Sequence, residues 1–289
     1  MKPSTERGLF LLPWLVSFAL FSAYPILFSL GVSFTRYDPF HGGLSGWTGL
    51  DNYRVIFSDP LFWRSFGNTV IFVVGTVLPT AVLSLLLALL LDRAGRLKGL
   101  LRTGYFIPSV VSLAVISLIF KYIYSRQGPL NLIVALFGAA GREWLLDPRY
   151  ALASIMVMDI WESLGYYAIF YLAALQTVPR ELYDAARVDG AGRLALLRNV
   201  TLPWLRPVII FVVVVNTIRA FQVFVEVVIM TGGGPMGSTM TLVYYMYERA
   251  FQRIEIGQAS AVAFVVFVLI MLFALLQTGL LRKMRASAE

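Results

Sequence analysis

Six long apolar stretches, separated by shorter polar connections, dominate the sequence. They cover residues 9–34, 66–91, 103–124, 150–178, 207–230 and 258–281. Because about 20 helical residues cross the ~30 Å hydrocarbon layer of a bilayer, each stretch is long enough for one membrane-spanning helix. The pattern predicts an all-α integral membrane protein with six transmembrane helices in a single domain over residues 1–289. The first stretch is too long for a signal peptide and lacks an A-x-A-like cleavage site, so we expect it to be retained.

The composition agrees with a membrane protein and leaves little material for catalysis. Hydrophobic residues make up 58% of the chain and charged residues only 14%, against roughly 25% charged in soluble domains. Cysteine is absent and His41 is the single histidine. These facts exclude disulfides and thiolate metal sites, and no cluster of metal ligands is visible. We therefore predict no enzymatic activity, no bound metal and no cofactor on this chain.

Basic residues are distributed unevenly between the two sides of the predicted membrane. With the N-terminus inside, 14 of the 24 Lys and Arg residues fall in inner segments and nine in outer loops. Cytoplasmic loops of membrane proteins carry an excess of basic residues, so both termini are predicted to be cytoplasmic. The same distribution accounts for the net charge of +8 without any need for nucleic acid as a partner.

Two of the predicted spans carry ionisable and polar residues on one helical face. The fourth span has Asp159, Glu162 and Tyr166 at spacings of three and four, and the fifth has Asn216, Arg219, Gln222 and Glu226 within an arc of roughly 120°. Ionisable groups within a span are costly and usually functional. Two compatible interpretations follow: the faces line a solute pathway, or Arg219 pairs with Asp159, Glu162 or Glu226 to hold helices together. A different class of function, a self-contained ion-coupled transporter, would use Asp159, Glu162, Arg219 and Glu226 as a charge relay.

The glycine-rich stretch GGGPMGST, residues 232–239, superficially resembles a phosphate-binding loop. Its pattern lacks the required lysine, because Ser238 stands after the last glycine. We therefore predict a tight turn in which the glycines adopt positive φ.

A polar segment, RELYDAARVDGAG, interrupts the apolar pattern at residues 180–192. Its small and apolar residues predict one short helix, and Gly190 predicts a sharp turn with a left-handed residue. Asp189 is then placed to cap a second helix. The segment therefore predicts a helix, a turn and a second helix on the inner membrane surface.

This segment resembles the EAA loop of binding-protein-dependent ABC importers. The family pattern is Glu-Ala-Ala, three residues, Gly, nine residues, an aliphatic residue, one residue and Leu-Pro. This sequence has Asp184-Ala185-Ala186, then Gly190, Val200 and Leu202-Pro203 at the same spacing, with Asp184 in place of glutamate.

Further motifs are similar to the carbohydrate-uptake branch of this family, the maltose and glycerol-3-phosphate type. They include LAALQTVPRELYDAARVDGAG, FQVF, MTGGGP and YERAFQ, and the similarity extends over about residues 66–281. The resemblance implies a type I ABC importer transmembrane-domain fold and a permease subunit that conducts a sugar or sugar-like solute.

The resemblance also implies partners. An extracytoplasmic binding protein would deliver the solute to a pair of homologous six-span subunits in a prokaryotic plasma membrane. Two ATPase subunits, or one homodimer, would hold ATP and Mg. The coupling loop, residues 179–203, would dock on the ATPase through Tyr183, Asp184, Ala185, Ala186, Asp189 and Gly190, with Asp184 pairing with a basic residue of the ATPase.

The maltose-type subunit binds sugar through helices on either side of this loop. Its contact positions align at or next to Trp161, Tyr166, Asn216, Ala220 and Val223. Ala220 and Val223 replace asparagines, which argues against maltose itself. The expected pathway residues of this chain are therefore Trp161, Glu162, Tyr166, Asn216, Arg219, Gln222 and Glu226.

Overall fold

The structure is a computed structural model that describes residues 3–40, 43–95 and 98–286. Within these ranges the helices are α1 Pro3–Phe18, α2 Tyr24–Ser33, α3 Asp51–Ser58, α4 Pro60–Asp92, α5 Lys98–Val110, α6 Leu113–Ile123, α7 Pro129–Leu136, α8 Ala151–Leu175, α9 Arg180–Val188, α10 Arg193–Leu196, α11 Leu202–Phe221, α12 Val225–Met230, α13 Leu242–Tyr247 and α14 Ile256–Ala286. The described residues also include three π-helical turns, at Ala19–Ala23, Leu197–Thr201 and Glu248–Gln252, and two strands, β1 Thr35–Asp38 and β2 Gly43–Trp47.

The chain divides into two compact units, and their boundaries fall within or beside membrane helices. The first unit comprises the chain up to Trp63 together with Tyr245–Val268, and the second comprises Arg64–Tyr244 together with the residues from Leu269 onward.

In the first unit, an antiparallel hairpin follows the first apolar helix. Thr35 pairs with Trp47 and Arg36 with Gly46, and the register then shifts at a bulge. The connection near residues 35–65 is short and aromatic-rich, which predicts small helices and turns, and α3 is such a helix. The hairpin was not predicted, because its four- and five-residue strands are too short for alternation to be recognised.

An ion-pair network around the buried Arg249 holds the first unit together at the start of α4. Asp59 accepts hydrogen bonds from the Leu61 backbone N–H, the Tyr245 hydroxyl and the Arg249 guanidinium. Arg249 also donates to Glu255 over 2.8 Å. Burial acts to raise the pKa of Asp59, but the three donors outweigh it and hold this pKa below its usual range.

In the second unit, α4, α8 and α11 share one hydrophobic core. Its fully buried members include Ala88 of α4, Tyr167 and Tyr171 of α8, and Leu205 and Val212 of α11. These helices correspond to the second, fourth and fifth predicted spans, so the core forms between the elements that carry the polar faces.

Four helices in the described part of the chain are long and apolar enough to cross a membrane. They are Leu11–Ser33, Pro60–Asp92, Arg193–Phe221 and Ile256–Gly279, and they overlap the first, second, fifth and sixth predicted spans, the fifth only over residues 207–221. α8 covers 25 residues of the fourth predicted span. It is not one of these four helices, because its acidic and tyrosine residues lower its mean hydropathy.

The third predicted span is not one straight helix. It consists of Gly99–Val110 and Leu113–Ile123, which meet at an angle of 97°. Counted as one broken span, this pair raises the number of apolar crossings from four to five. Pro108 lies within the last turn before the break and cannot donate a backbone hydrogen bond there.

The fifth predicted span, residues 207–230, is also interrupted. α11 ends at Phe221, and a separate helix, α12, begins at Val225. Gln222 and Glu226 therefore lie beyond the helix that carries Asn216 and Arg219, and the continuous helical arc expected from the sequence is not formed.

Candidate functional site

Arg219 binds two acidic residues of the neighbouring helix α8. Its Nη2 atom donates to Asp159 Oδ1 over 3.1 Å and to Glu162 Oε2 over 2.5 Å. Asp159 and Glu162 are three residues apart on α8, so both carboxylates reach the same guanidinium. The Asp159 side chain is only 5% exposed, whereas that of Arg219 is 34% exposed. The guanidinium thus neutralises buried carboxylates on one side and remains accessible on the other.

Glu226 adds a third acidic group to this charged cluster. It is buried in the first turn of α12, and its carboxylate interacts electrostatically with Arg219 and Glu162. Three carboxylates therefore surround one guanidinium, so the pairing expected from the sequence involves all three acidic residues, two of them through hydrogen bonds.

The other expected pathway residues lie in different surroundings. Asn216 is buried on α11, and its Nδ2 atom has no hydrogen-bond partner among the described residues. Gln222 is exposed at the C-cap of α11. Trp161 is exposed on α8 and packs against Phe120, with ring centroids 5.2 Å apart.

Tyr166 lines a cavity of about 590 Å³ between α5 and α8. The cavity walls are mostly aliphatic and aromatic, with one cationic side chain, and consist of Arg102, Thr103, Phe106, Ile107, Val110, Val111, Tyr166, Ile169 and Phe170. Tyr166 and the two carboxylates that bind Arg219 therefore lie on the same helix, α8, but have different neighbours. This volume lies within the usual range for small-molecule sites.

A glycine on α8 allows α5 to approach closely. A Cβ atom at Gly165 would lie 2.5 Å from the Tyr105 carbonyl carbon and closer still to its oxygen. Nearby, Ser109 Oγ donates to the Glu162 carbonyl oxygen over 3.0 Å. The α5–α8 wall of the cavity thus depends on a residue without a side chain.

The expected coupling loop forms a helix with a well-defined end. The Gly190 N–H donates to the Arg187 carbonyl and the Ala191 N–H to the Ala186 carbonyl, which is the pattern of a Schellman motif. Gly190 has φ of +79°, as the sequence predicts. Asp189, however, is the C-cap of α9 and does not cap the second helix, because α10 begins later and has Gly192 at its N-cap.

The helix α9 exposes most of its surface. Asp184 is exposed and pairs with Arg187 over 3.0 Å, Ala185 is exposed and Ala186 is half-buried. Val188, which follows the motif, is 88% exposed. A helix with no buried residue gains little stability from its own chain, which leaves this surface available to a partner.

Tyr183 has a different role from its neighbours in the motif. Its hydroxyl lies 3.0 Å from Thr201 Oγ1 and links α9 to the π-helical turn before α11. In the same region Trp204 Nε1 donates to Thr177 Oγ1 over 3.1 Å. These bonds fix both ends of the loop to the adjoining membrane helices.

Sequence reasoning missed two kinds of residue. Gly165 gave no signal, because a close approach depends on the facing helix. Val188 and Leu194 are strongly exposed apolar residues in a polar segment, and that contrast was a usable signal. The described residues contain no group of acidic or histidine side chains suited to a metal ion, and His41 lies outside them. The turn at residues 232–239 has positive φ at Gly232, Gly233 and Gly237, as predicted.

Comparison with known proteins identifies the family. Residues 62–286 match the family described as "Binding-protein-dependent transport system inner membrane component". The lactose transport system permease protein LacF of Rhizobium radiobacter is 37% identical, and the alignment covers 93% of this chain and 91% of that protein. The sulfoquinovosyl glycerol transport system permease protein SmoG of Agrobacterium fabrum is 35% identical over 91% of this chain and 86% of that protein.

A solved structure has the same fold. It is a bacterial alginate ABC transporter in complex with an alginate pentasaccharide-bound periplasmic protein, and it aligns with a TM-score of 0.85 at 22% identity, covering 97% of this chain and 96% of that chain. The resemblance inferred from the EAA-type segment is thereby confirmed. The chain belongs to the family of inner membrane components of binding-protein-dependent transport systems, and it is a multi-pass membrane permease subunit.

Proposed function

We propose that this permease subunit forms part of the pathway for a sugar or sugar-like solute in an ATP-driven importer. The proposal is supported by the relatives, whose names specify lactose and sulfoquinovosyl glycerol, and by a fold shared with an alginate transporter. A neutral, a sulfonated and a carboxylated carbohydrate have hydroxyl groups in common. The proposed solute is therefore a carbohydrate, recognised mainly through hydroxyl groups.

The coupling loop is the proposed contact with a separate ATPase subunit, which would hold ATP and Mg. The observation that carries this assignment is the exposed Asp184–Arg187 pair on a helix whose C-terminal end is fixed by the Schellman motif. An acidic side chain with 68% of its surface exposed is free to exchange Arg187 for a basic residue of the ATPase. Tyr183 would transmit movement of α9 to α11 through Thr201.

The complete transporter would contain a second, homologous permease subunit, two ATPase subunits or a homodimer, and an extracytoplasmic binding protein. Both termini of this chain and the coupling loop would lie in the cytoplasm. The proposed pathway surface comprises Trp161, Glu162, Tyr166, Asn216, Arg219, Gln222 and Glu226. Asp159, which lies behind this surface, and Glu162 would hold Arg219 in place so that its accessible side meets solute hydroxyl groups.

The coupling assignment is tested in the assembled transporter, reconstituted in proteoliposomes with its binding protein. Asp184→Arg reverses the proposed contact, and Gly190→Pro removes the N–H that bonds Arg187 and demands a φ that the turn does not have. Glu181→Arg is the matched control, because it makes the same charge change on the same exposed helix outside the motif.

Asp184→Arg and Gly190→Pro are expected to lower binding-protein-stimulated ATP hydrolysis and uptake of radiolabelled oligosaccharides at least tenfold, with Glu181→Arg near wild type. Size-exclusion chromatography shows whether each variant remains in the complex. Unchanged stimulation in both variants would contradict the coupling role. Uptake by this chain alone under a proton or sodium gradient, without ATP, would instead establish the ion-coupled alternative.

A further inference from the structure

The hairpin and α3 form a small cap, residues 35–58, that is fixed to the end of the first membrane helix. Thr48 N–H donates to the Phe34 carbonyl over 2.9 Å. Asn52 Nδ2 donates to the carbonyls of Ser33 and Thr35, both over 2.9 Å. These bonds join the cap to the last residues of α2, so it cannot move away from that helix end.

The other end of the cap is equally short. Asp59 alone separates α3 from α4, which is the next apolar helix. Trp63, in the first turn of α4, donates from Nε1 to the Phe57 carbonyl over 2.8 Å. The cap therefore lies between the ends of two apolar helices, at the level of the C-terminal end of α2 and the N-terminal end of α4.

The cap exposes large apolar side chains at this level. Trp47 is 74% exposed, Trp63 at the start of α4 is 54% exposed, and Phe40, Leu44 and Leu50 are more than half exposed. Trp47 stacks on Phe34 at a centroid distance of 5.6 Å, so it sits directly at the end of α2. Tryptophan prefers the boundary between lipid headgroups and hydrocarbon, where its ring is in an apolar layer and its N–H is near water.

A second exposed tryptophan, Trp14, lies near the N-terminal end of the same apolar helix. Trp14 is 61% exposed on α1, within the apolar helix Leu11–Ser33. From Trp14 to Phe34, at a rise of about 1.5 Å per residue, the helix advances about 30 Å, which equals the thickness of the hydrocarbon layer. The two tryptophans thus occur at the separation that the bilayer requires.

We propose that Trp14 and Trp47 mark the two edges of the hydrocarbon layer and that the hairpin of the cap lies in the lipid headgroup layer, with Leu44 and Trp47 in contact with lipid and the exposed face of α3 toward water. The exposed apolar surface of the cap continues that of the first helix, in which only 6% of the apolar window is buried. The occupant is therefore the bilayer. The competing occupant is the extracytoplasmic binding protein, which would cover the cap from the aqueous side.

Because the sequence contains no cysteine, spin labels can be attached at single introduced cysteines without first removing native ones. Single cysteines are introduced in the full-length chain at Trp47, at Leu27 within the first helix and at Arg54 on α3, whose side chain is 80% exposed. The labelled chain is placed in nanodiscs of phosphatidylethanolamine and phosphatidylglycerol at a ratio of three to one. Electron paramagnetic resonance then compares accessibility to oxygen and to a nickel chelate, calibrated with doxyl-labelled lipids.

The label at Trp47 is expected within about 5 Å of the phosphate level, with oxygen accessibility above nickel accessibility. Leu27→Cys should be about 10 Å deeper, because seven helical residues separate it from Phe34, and Arg54→Cys should have the accessibility of an aqueous site. Leu44→Cys leaves Trp47 intact and gives an independent measurement if the Trp47 variant fails to fold.

Two results would overturn the proposal. The first is nickel accessibility at residues 44 and 47 equal to that at residue 54. The second is protection of residues 44 and 47 that appears only when the solute-loaded binding protein is added, which would assign the surface to that protein.

Discussion

Gly165 allows the backbones of α5 and α8 to contact each other, so adding a single methyl group there should force the two helices apart. In Gly165→Ala, the new Cβ would lie 2.5 Å from the Tyr105 carbonyl carbon, whereas ordinary contact begins near 3.4 Å. The backbone of α5 would have to move away from α8 by more than about 0.9 Å, the difference between these distances, because the Tyr105 carbonyl oxygen is closer still to the new Cβ. A gap of this size forfeits roughly a quarter to a half of each van der Waals contact along the interface.

The cost of this movement follows from two contributions. Overpacking of this kind costs about 1–3 kcal/mol. The hydrogen bond from Ser109 to the Glu162 carbonyl, now 3.0 Å long, would stretch beyond bonding distance and remove about 1 kcal/mol more. The total of about 2–4 kcal/mol corresponds to a fall of roughly 3–7 °C in Tm, because 289 residues have an unfolding entropy of about 0.6 kcal/mol per kelvin.

The assay is thermal unfolding of the purified transporter, followed by fluorescence-detected size-exclusion chromatography, together with uptake in proteoliposomes. Gly104→Ala is the matched control on α5, because a Cβ atom there meets nothing within 4 Å. Equal Tm values for the two variants would refute the close-approach argument. Reduced uptake is expected only for Gly165→Ala, because only this change widens the α5–α8 wall of the cavity.

Three further predictions concern the charged and amide groups. The pKa of Asp59 is lowered in the folded protein, so the stabilising effect of the ionised carboxylate is present above about pH 4, the unfolded value, and is lost as the pH falls through the folded value. Asp59→Asn should lower the unfolding free energy by about 1–3 kcal/mol at pH 7 and make that free energy less dependent on acid pH. An unchanged slope of stability against acid pH, measured by thermal unfolding, would contradict this prediction. Arg219→Met and Asp159→Asn should show a coupling energy of about 0.5–3 kcal/mol in a double-mutant cycle of unfolding in mixed micelles, because the Arg219 guanidinium joins α11 to α8. Additive effects of the two substitutions would exclude an energetic link between these helices through Arg219. Asn131→Leu should make residues 125–147 sensitive to limited proteolysis, because the Asn131 side chain takes part in five hydrogen bonds in this segment. Asn199→Leu is the control, because Asn199 is exposed and its replacement should leave the cleavage rate unchanged. Equal cleavage rates in the two variants would contradict the stabilising role of Asn131.

The sequence predicted the helices whose environment is uniform along their length. α4 and α14 are apolar on most sides, so length and hydropathy identified them. The helix α9 and the turn that ends it were predicted because a glycine, Gly190, can adopt a positive φ at this point, which is a local property of the chain. Contacts between distant segments were only partly predictable: Arg219 was expected to pair with acidic residues, but the choice of Asp159 and Glu162 depends on how α8 and α11 pack.

Breaks within apolar stretches were not predicted, because hydropathy averages over them. Pro108 was one of several prolines in the spans, and nothing local distinguished it from Pro79, which lies inside the unbroken helix α4. The end of α11 at Phe221 likewise has no strong stop signal. Tyr166 and Glu162 lie four residues apart on the continuous helix α8, as expected, but their partners depend on the packing of other helices: Glu162 binds Arg219 of α11, and Tyr166 lines the cavity beside α5.

The right-angle break between α5 and α6 has a consequence for the barrier that the membrane presents. Each half has 11 or 12 residues and is about 17–18 Å long, too short to cross the hydrocarbon layer alone. Carbonyl groups at the end of one half and N–H groups at the start of the next lack partners within their own helices, so protein or water must satisfy them at membrane depth. Val110 and Val111 place this break at the wall of the cavity. Where water supplies these partners, the same opening could also admit small ions, and the transporter must then block their leak at another level of the pathway.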